Sequence, residues 1–255
     1  MLNEPLLRGG VYLFCFLLGM ITGGYFPEPY RNAVTLCVVL LVLLIEWKCY
    51  ASGKVPVSFA IRKKSFSVLL FFPVFFAITL GMNLLSAKLF PVSHAASSPV
   101  IPSPALFIGA VLLAPLAEEI FFRGILLRLF SKYGDVWGVF LSASAFALAH
   151  GNFFQMPYAF TAGLLLAVAA ILGGSILYPI LFHLLYNLCT FFSGYLSPVP
   201  LLISAGAVAL VAVMSLAILR PAWRFTRGKP PALKSFWLLF LYAGETIYIA
   251  VTRIL

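Results

Sequence analysis

Apolar residues fill this chain in long runs, near 10–26, 33–47, 66–87, 105–130, 136–151, 157–173, 175–193, 199–219 and 235–253, and the short stretches between them hold most of the Lys and Arg. One helix needs roughly 20 mostly apolar residues to cross the hydrocarbon core of a bilayer. The pattern therefore predicts an all-α, polytopic transmembrane helix bundle of about eight or nine spans, with 1–255 forming a single integral membrane domain. The second, fifth and sixth runs are short, and a run near 15 residues crosses only marginally. The first run, which follows Arg8, has no A-x-A-like cleavage site and is followed by further spans, so it reads as the first helix and not as a cleaved signal.

Composition removes the soluble alternatives. The chain is 63% hydrophobic and 9% charged, with a mean hydropathy of +1.07, whereas apolar residues make up about half of a soluble domain. No room remains for a sizeable soluble unit. The net charge of +10 does not signal nucleic acid, because the cations sit in short loops between apolar runs and form no basic stripe with interleaved aromatics. Topology accounts for them better, since cytoplasmic loops carry the excess of Lys and Arg. If every run spans, Arg8, Lys48, Lys54, Arg62, Lys63, Lys64, Arg128, Lys132, Arg220, Arg224, Arg227, Lys229 and Lys234 share one side, and only Arg31, Lys88 and Arg253 fall on the other. That arrangement predicts a cytoplasmic N-terminus, an external C-terminus and an external Lys88–Pro104 loop containing His94, and the membrane expected is a bacterial or archaeal plasma membrane. Cys15, Cys37, Cys49 and Cys189 lie in or beside apolar runs with no metal-type spacing and read as packing residues. No feature of the sequence specifies an oligomer.

The fourth run contains Pro115-Leu116-Ala117-Glu118-Glu119-Ile120-Phe121-Phe122-Arg123-Gly124. An ionisable residue at a membrane-helix centre costs roughly 2.5–3.5 kcal/mol on insertion scales, so such residues normally face a cavity, find partners and mark function. Glu119 and Arg123 are four apart and share a helix face, whereas Glu118 is rotated by about 100° from its neighbour. Glu119 is thus placed to pair with Arg123, leaving Glu118 to project elsewhere. The bland alternative is a buried ion-pair network without chemistry. Pro115 cannot donate to the carbonyl of Val111, which predicts a local disturbance just before the acids. His150 ends the fifth run with Phe146 one turn earlier, and His183 in the seventh has Asn187 one turn later. An imidazole backed by an aromatic wall, and an imidazole and amide sharing a face, are the features those spacings offer. Glu245 in the last run is a further acid with no motif around it.

The order Glu118-Glu119-x-x-x-Arg123, Phe146-x-x-x-His150 and His183-x-x-x-Asn187, each in its own hydrophobic helix, resembles the three signature motifs of the CAAX-protease and bacteriocin-processing family. The resemblance covers roughly 105–193, and the flanking runs carry no such motif. It implies hydrolysis of a peptide bond in a membrane-associated protein or peptide, within a polar cavity in the membrane. By position, Glu118 with His150 would activate the attacking water, His183 with Asn187 would stabilise the oxyanion, and Glu119, Arg123 and Phe146 would shape the site. It implies no cofactor. The mechanistic rival is zinc held by Glu118, His150 and His183 with one open position, although no HExxH helix is present. Two other classes compete: a non-enzymatic membrane scaffold or bacteriocin-immunity protein that uses the polar cluster for packing, and a small transporter with a Glu/His proton relay, against which stands the absence of an internal repeat.

Overall fold

The computed structural model describes residues 4–27, 30–50, 58–60, 63–89, 103–193, 226, 228–232 and 237–252, and these contain helices and no strand. We label the helices α1 (Pro5–Gly23), α2 (Tyr30–Ile45), α3 (Phe72–Leu89), α4 (Pro104–Tyr133), α5 (Asp135–Ala149), α6 (Met156–Gly173), α7 (Leu177–Ser193) and α8 (Trp237–Thr252). The run near 199–219 and His94 lie outside the described residues.

Among the described residues, five helical stretches are long and apolar enough to cross a membrane: Pro5–Gly23, Tyr30–Cys49, Ser67–Leu89, Pro104–Tyr133 and Met156–Gly173. The second and sixth runs are therefore longer than expected. In the second, a π-helical turn, Glu46–Tyr50, extends α2 past the apolar residues. The fifth run is short as expected, Asp135–Ala149, and the seventh, Leu177–Phe192, is short as well. Large apolar side chains such as Leu18, Leu41, Leu84 and Phe140 point outward, each about half or more exposed. Lipid tails are as apolar as a protein interior, so that surface suits an integral membrane protein. Cys37, Cys49 and Cys189 are also exposed, and only Cys15 is half-buried. For the first three, packing in the core is corrected to an outward position, which a small apolar thiol tolerates beside lipid.

Helix-to-helix contact relies on small residues and aromatic rings. Along α5 and α6, Ala143, Ala147, Ala159, Ala162 and Gly163 are buried, and small side chains let membrane helices approach closely. A Cβ on Gly163 would stand 3.0 Å from Cα of Ala143 and 3.3 Å from the Phe146 ring. On one flank Phe16 of α1 stacks on Phe121 of α4 at 4.6 Å between centroids. On another, Phe75 of α3 stacks on Phe182 of α7 at 5.9 Å.

Two turns set the heights of the functional helices. Gly134 joins α4 to α5 with φ +105°, and a Cβ there would meet the Gly228 backbone at 2.3 Å, so glycine is required on both counts. Asp135 fixes the same corner by accepting from the backbone N–H of Thr226 at 3.0 Å and its hydroxyl at 2.7 Å. Glu118 lies fifteen residues before Tyr133 and His150 fifteen after Asp135. The two therefore stand at similar heights in antiparallel helices, about 22 Å from the turn. Gly174, left-handed at φ +62°, ends α6. There Ser175 and Ile176 both donate to the carbonyl of Ser58.

Arg8 departs from the expected loop position. It lies within α1, 4% exposed, and pairs with Glu46 at 3.2 Å, while the Tyr12 hydroxyl donates to the other Glu46 oxygen at 2.8 Å. The start of α1 also meets the end of α4, where the Tyr133 hydroxyl donates to Glu4 at 3.0 Å. Arg8, Lys48 and Lys132 consequently gather at one end of the bundle, in keeping with their shared side in the charge pattern.

Candidate active site

The backbone of α4 is irregular where the ionisable residues enter. Its Ala114–Glu119 segment is α-helical, but Ile108–Leu113 before it and Ile120–Leu126 after it are π-helical. The N–H of Ala114 donates to the carbonyl of Gly109, five residues back. The same register would bring residue 115 to the carbonyl of Ala110, but Pro115 has no N–H. Asn187 supplies the missing donor, its side-chain amide meeting the Ala110 oxygen at 3.0 Å. The carbonyl that Pro115 leaves open is thus Ala110's and not Val111's, because a five-residue register replaces the four-residue one. π-Helical turns inside α-helices often accompany functional sites.

Glu119 is fully buried, as is Arg123 at 1% exposure. The Arg123 Nη1 donates to Glu119 Oε1 at 2.8 Å, its Nη2 reaches the Gly163 carbonyl at 3.5 Å, and the guanidinium lies 4.3 Å from the Phe146 ring centroid. A guanidinium is suited to this combination of ion pair and aromatic stacking. His183 Nδ1 meets the same Glu119 oxygen at 2.8 Å. Since a carboxylate accepts, that ring nitrogen carries the proton, and Nε2 stands 3.8 Å from Glu118 Oε2. This is an electrostatic contact beyond hydrogen-bond range.

His150 caps the C-terminus of α5, and its Nδ1 meets the carbonyl of Phe146 at 2.9 Å. A carbonyl only accepts, so Nδ1 is the donor and Nε2 of the neutral ring keeps a lone pair. Phe146 packs edge-to-face on both imidazoles, at 4.8 Å from His150 and 5.9 Å from His183. It therefore touches Arg123 and the two histidines together, a wider role than a wall behind one ring.

Glu118, whose side chain is 25% exposed, lines a cavity of about 240 Å³ together with Phe146, His150, His183 and Asn187. The structure thus brings Glu118, His150, His183 and Asn187 to one cavity, with Glu119 and Arg123 bracing it from within the protein. Asn187 and His183 do not simply project side by side: one N–H of the amide is committed to Ala110 and one ring nitrogen to Glu119. Asn83, Gln155, Tyr158, Tyr186 and Thr190 also line this cavity, and Asn83 donates to the Tyr186 hydroxyl at 3.2 Å. Sequence spacing did not single these out. Tyr186 and Thr190 flank Asn187 and share the polar stripe of α7, but Asn83 and Gln155 carry no local signal. Glu245 faces outward on α8. Among the described residues no three His, Cys, Asp or Glu side chains converge as a metal-binding group.

Known proteins resemble parts of this chain. Residues 99–189 match the family model described as Type II CAAX prenyl endopeptidase Rce1-like. An uncharacterised 24.3 kDa protein of Escherichia coli is 39% identical over 79 residues, 29% of this chain and 36% of the relative. The matched stretch thus spans little more than a third of that relative's length. No solved structure matches. Of the helices that build the cavity, α4, α5 and α7 are those the motifs marked, and the match of residues 99–189 to the Rce1-like CAAX endopeptidase model runs over this same stretch of the integral membrane protein.

Proposed function

We propose that this chain is an intramembrane endopeptidase in which Glu118 activates the attacking water. One observation carries the reading. Glu118 has no hydrogen bond to another described residue, yet it opens into a cavity shared with His150, His183 and Asn187, while the adjacent Glu119 is fully buried and held through its Oε1 by Arg123 and His183. An acid left open beside an acid tied down is the division that general base chemistry needs.

In this reading a water bound between Glu118 and His150 Nε2 gives its proton to Glu118, and its oxygen adds to the scissile carbonyl carbon. The negative charge that develops on the carbonyl oxygen is met by the second N–H of Asn187, with the His183 ring beside it in the same cavity. Donors preorganised at such an oxygen in a water-poor site supply a large share of catalysis. Collapse of the intermediate breaks the C–N bond, and Glu118 returns its proton to the leaving amine. Glu119 and Arg123 hold His183, and Phe146 holds the positions of all three groups it touches.

No step draws on a metal. The reading is supported by the pairing of Glu119 with the Arg123 guanidinium, which leaves Glu118 as the open acid beside the two imidazoles. The substrate is a membrane-associated protein or peptide, reached from the face opposite the cluster of Arg8, Lys48 and Lys132. That cluster is cytoplasmic in the proposed topology of eight or nine crossings in a bacterial or archaeal plasma membrane. The test is cleavage of a membrane-anchored peptide by purified protein in liposomes, with elemental analysis and chelator treatment. Cleavage that persists in metal-free protein is expected. Stoichiometric zinc whose removal abolishes cleavage would overturn the mechanism.

A further inference from the structure

Glu118 borders two cavities. The smaller, of about 140 Å³, shares Glu118, Phe146, His150 and Gln155 with the larger one. Their remaining walls differ in chemistry. The larger is bounded by polar groups from α3, α6 and α7, including Asn83, Tyr158 and Tyr186. The smaller is closed by Phe16 and Met20 of α1, with Phe122 and Ala149.

Volume and lining limit what the smaller cavity can hold. An apolar cavity of about 150 Å³ accepts one benzene-sized group, whereas an isoprenoid chain is several times larger. Phe16 is a fixed wall, 2% exposed, stacked on Phe121 and edge-to-face with Phe122. Met20 lies one turn further along the same face and stands at the rim, 36% exposed. Between them Gly19 packs so closely on α2 that a Cβ would meet Val38 at 3.1 Å, which restricts rotation of α1. The apolar wall is thus held in place while its outer member remains adjustable.

We infer that this cavity is a specificity pocket for one apolar side chain, of the size of Leu or Phe, on a peptide lying across Glu118. Met20 sets the length it accepts, and an isoprenoid group is excluded. The inference rests on the proteolytic reading and adds the selecting element. That element belongs to α1, outside the 99–189 segment that matches the endopeptidase family, so the chemistry and the selection come from different parts of the chain.

The experiment uses full-length protein in liposomes with a pool of membrane-anchored peptides randomised around a central segment, with products identified by mass spectrometry. Wild type, Met20→Ala, Met20→Trp and Glu118→Gln are compared, and a second pool carries a farnesylated cysteine at the selected position. Wild type is expected to favour Leu or Phe over Ala at one position by about 10–200-fold, the range one hydrophobic subsite gives. Met20→Trp should move that preference to Ala or Val, and Met20→Ala should extend it to Trp. Opposite shifts in two variants cannot arise from loss of folding. Cleavage that requires Glu118 but shows the same side-chain preference in wild type and both Met20 variants would overturn the pocket and leave the proteolytic reading intact. So would efficient cleavage of the farnesylated pool that Met20→Trp abolishes. Cleavage that survives Glu118→Gln, or no cleavage by wild type, would remove both.

Discussion

Two buried ion pairs in this molecule look alike and differ in what surrounds them. Between α1 and α2, Arg8 and Tyr12 occupy both oxygens of Glu46. In α4, Arg123 and His183 share one oxygen of Glu119, and the preceding residue, Glu118, is an acid that opens into a cavity. Burial and pairing of charge in a membrane helix therefore do not by themselves mark chemistry. A buried pair is expensive to break and gives little net stability over apolar packing. The distinguishing feature is the unbraced carboxylate beside the braced one.

The comparison predicts separable effects. The largest belongs to the cavity side alone: His150→Gln should lower the rate of peptide cleavage in liposomes by about 10²–10⁴-fold, the contribution of a positioned acid–base group, with thermal stability unchanged. Next, the two pairs should behave alike as structure. Arg123→Ala and Arg8→Ala should each lose about 3–5 kcal/mol, because each strands a buried carboxylate. Unfolding in detergent would measure this, and a negligible loss at Arg8 would break the likeness. Gly163→Val should cost about 1–3 kcal/mol by overpacking against Ala143, and it should depress cleavage further because the same contact holds Phe146. The smallest effect is at Asn187. Its replacement by Ala removes the donor to the Ala110 carbonyl and should cost about 0.6 kcal/mol, the average for hydrogen bonds between membrane helices, while slowing cleavage more than that loss of stability explains.

Much of this arrangement could be read from the order of residues, for physical reasons. A bilayer demands long apolar helices, so the runs around α1 to α7 announced themselves. The cost of charge in lipid drew attention to Glu118, Glu119 and Arg123, and the i, i+4 geometry separated the two acids. What was hidden depended on contacts between distant segments or on backbone register. Arg8 looked like a loop cation until α2 placed Glu46 beside it. Pro115 foretold an orphaned carbonyl, but only the five-residue register identifies it as Ala110's and explains why Asn187 points there. The walls supplied by Phe16, Met20 and Asn83 come from helices without motifs, and nothing in their local sequence directs them to the site.

The division between braced and open carboxylates is tested most directly by comparing cleavage rates of Glu118→Gln and Glu46→Gln with wild type, in liposomes and at matched folded protein. Loss of cleavage by at least about 10²-fold in the first, with a near-normal rate in the second, is the expected result. A Glu118→Gln protein that cleaves as fast as wild type would contradict the account.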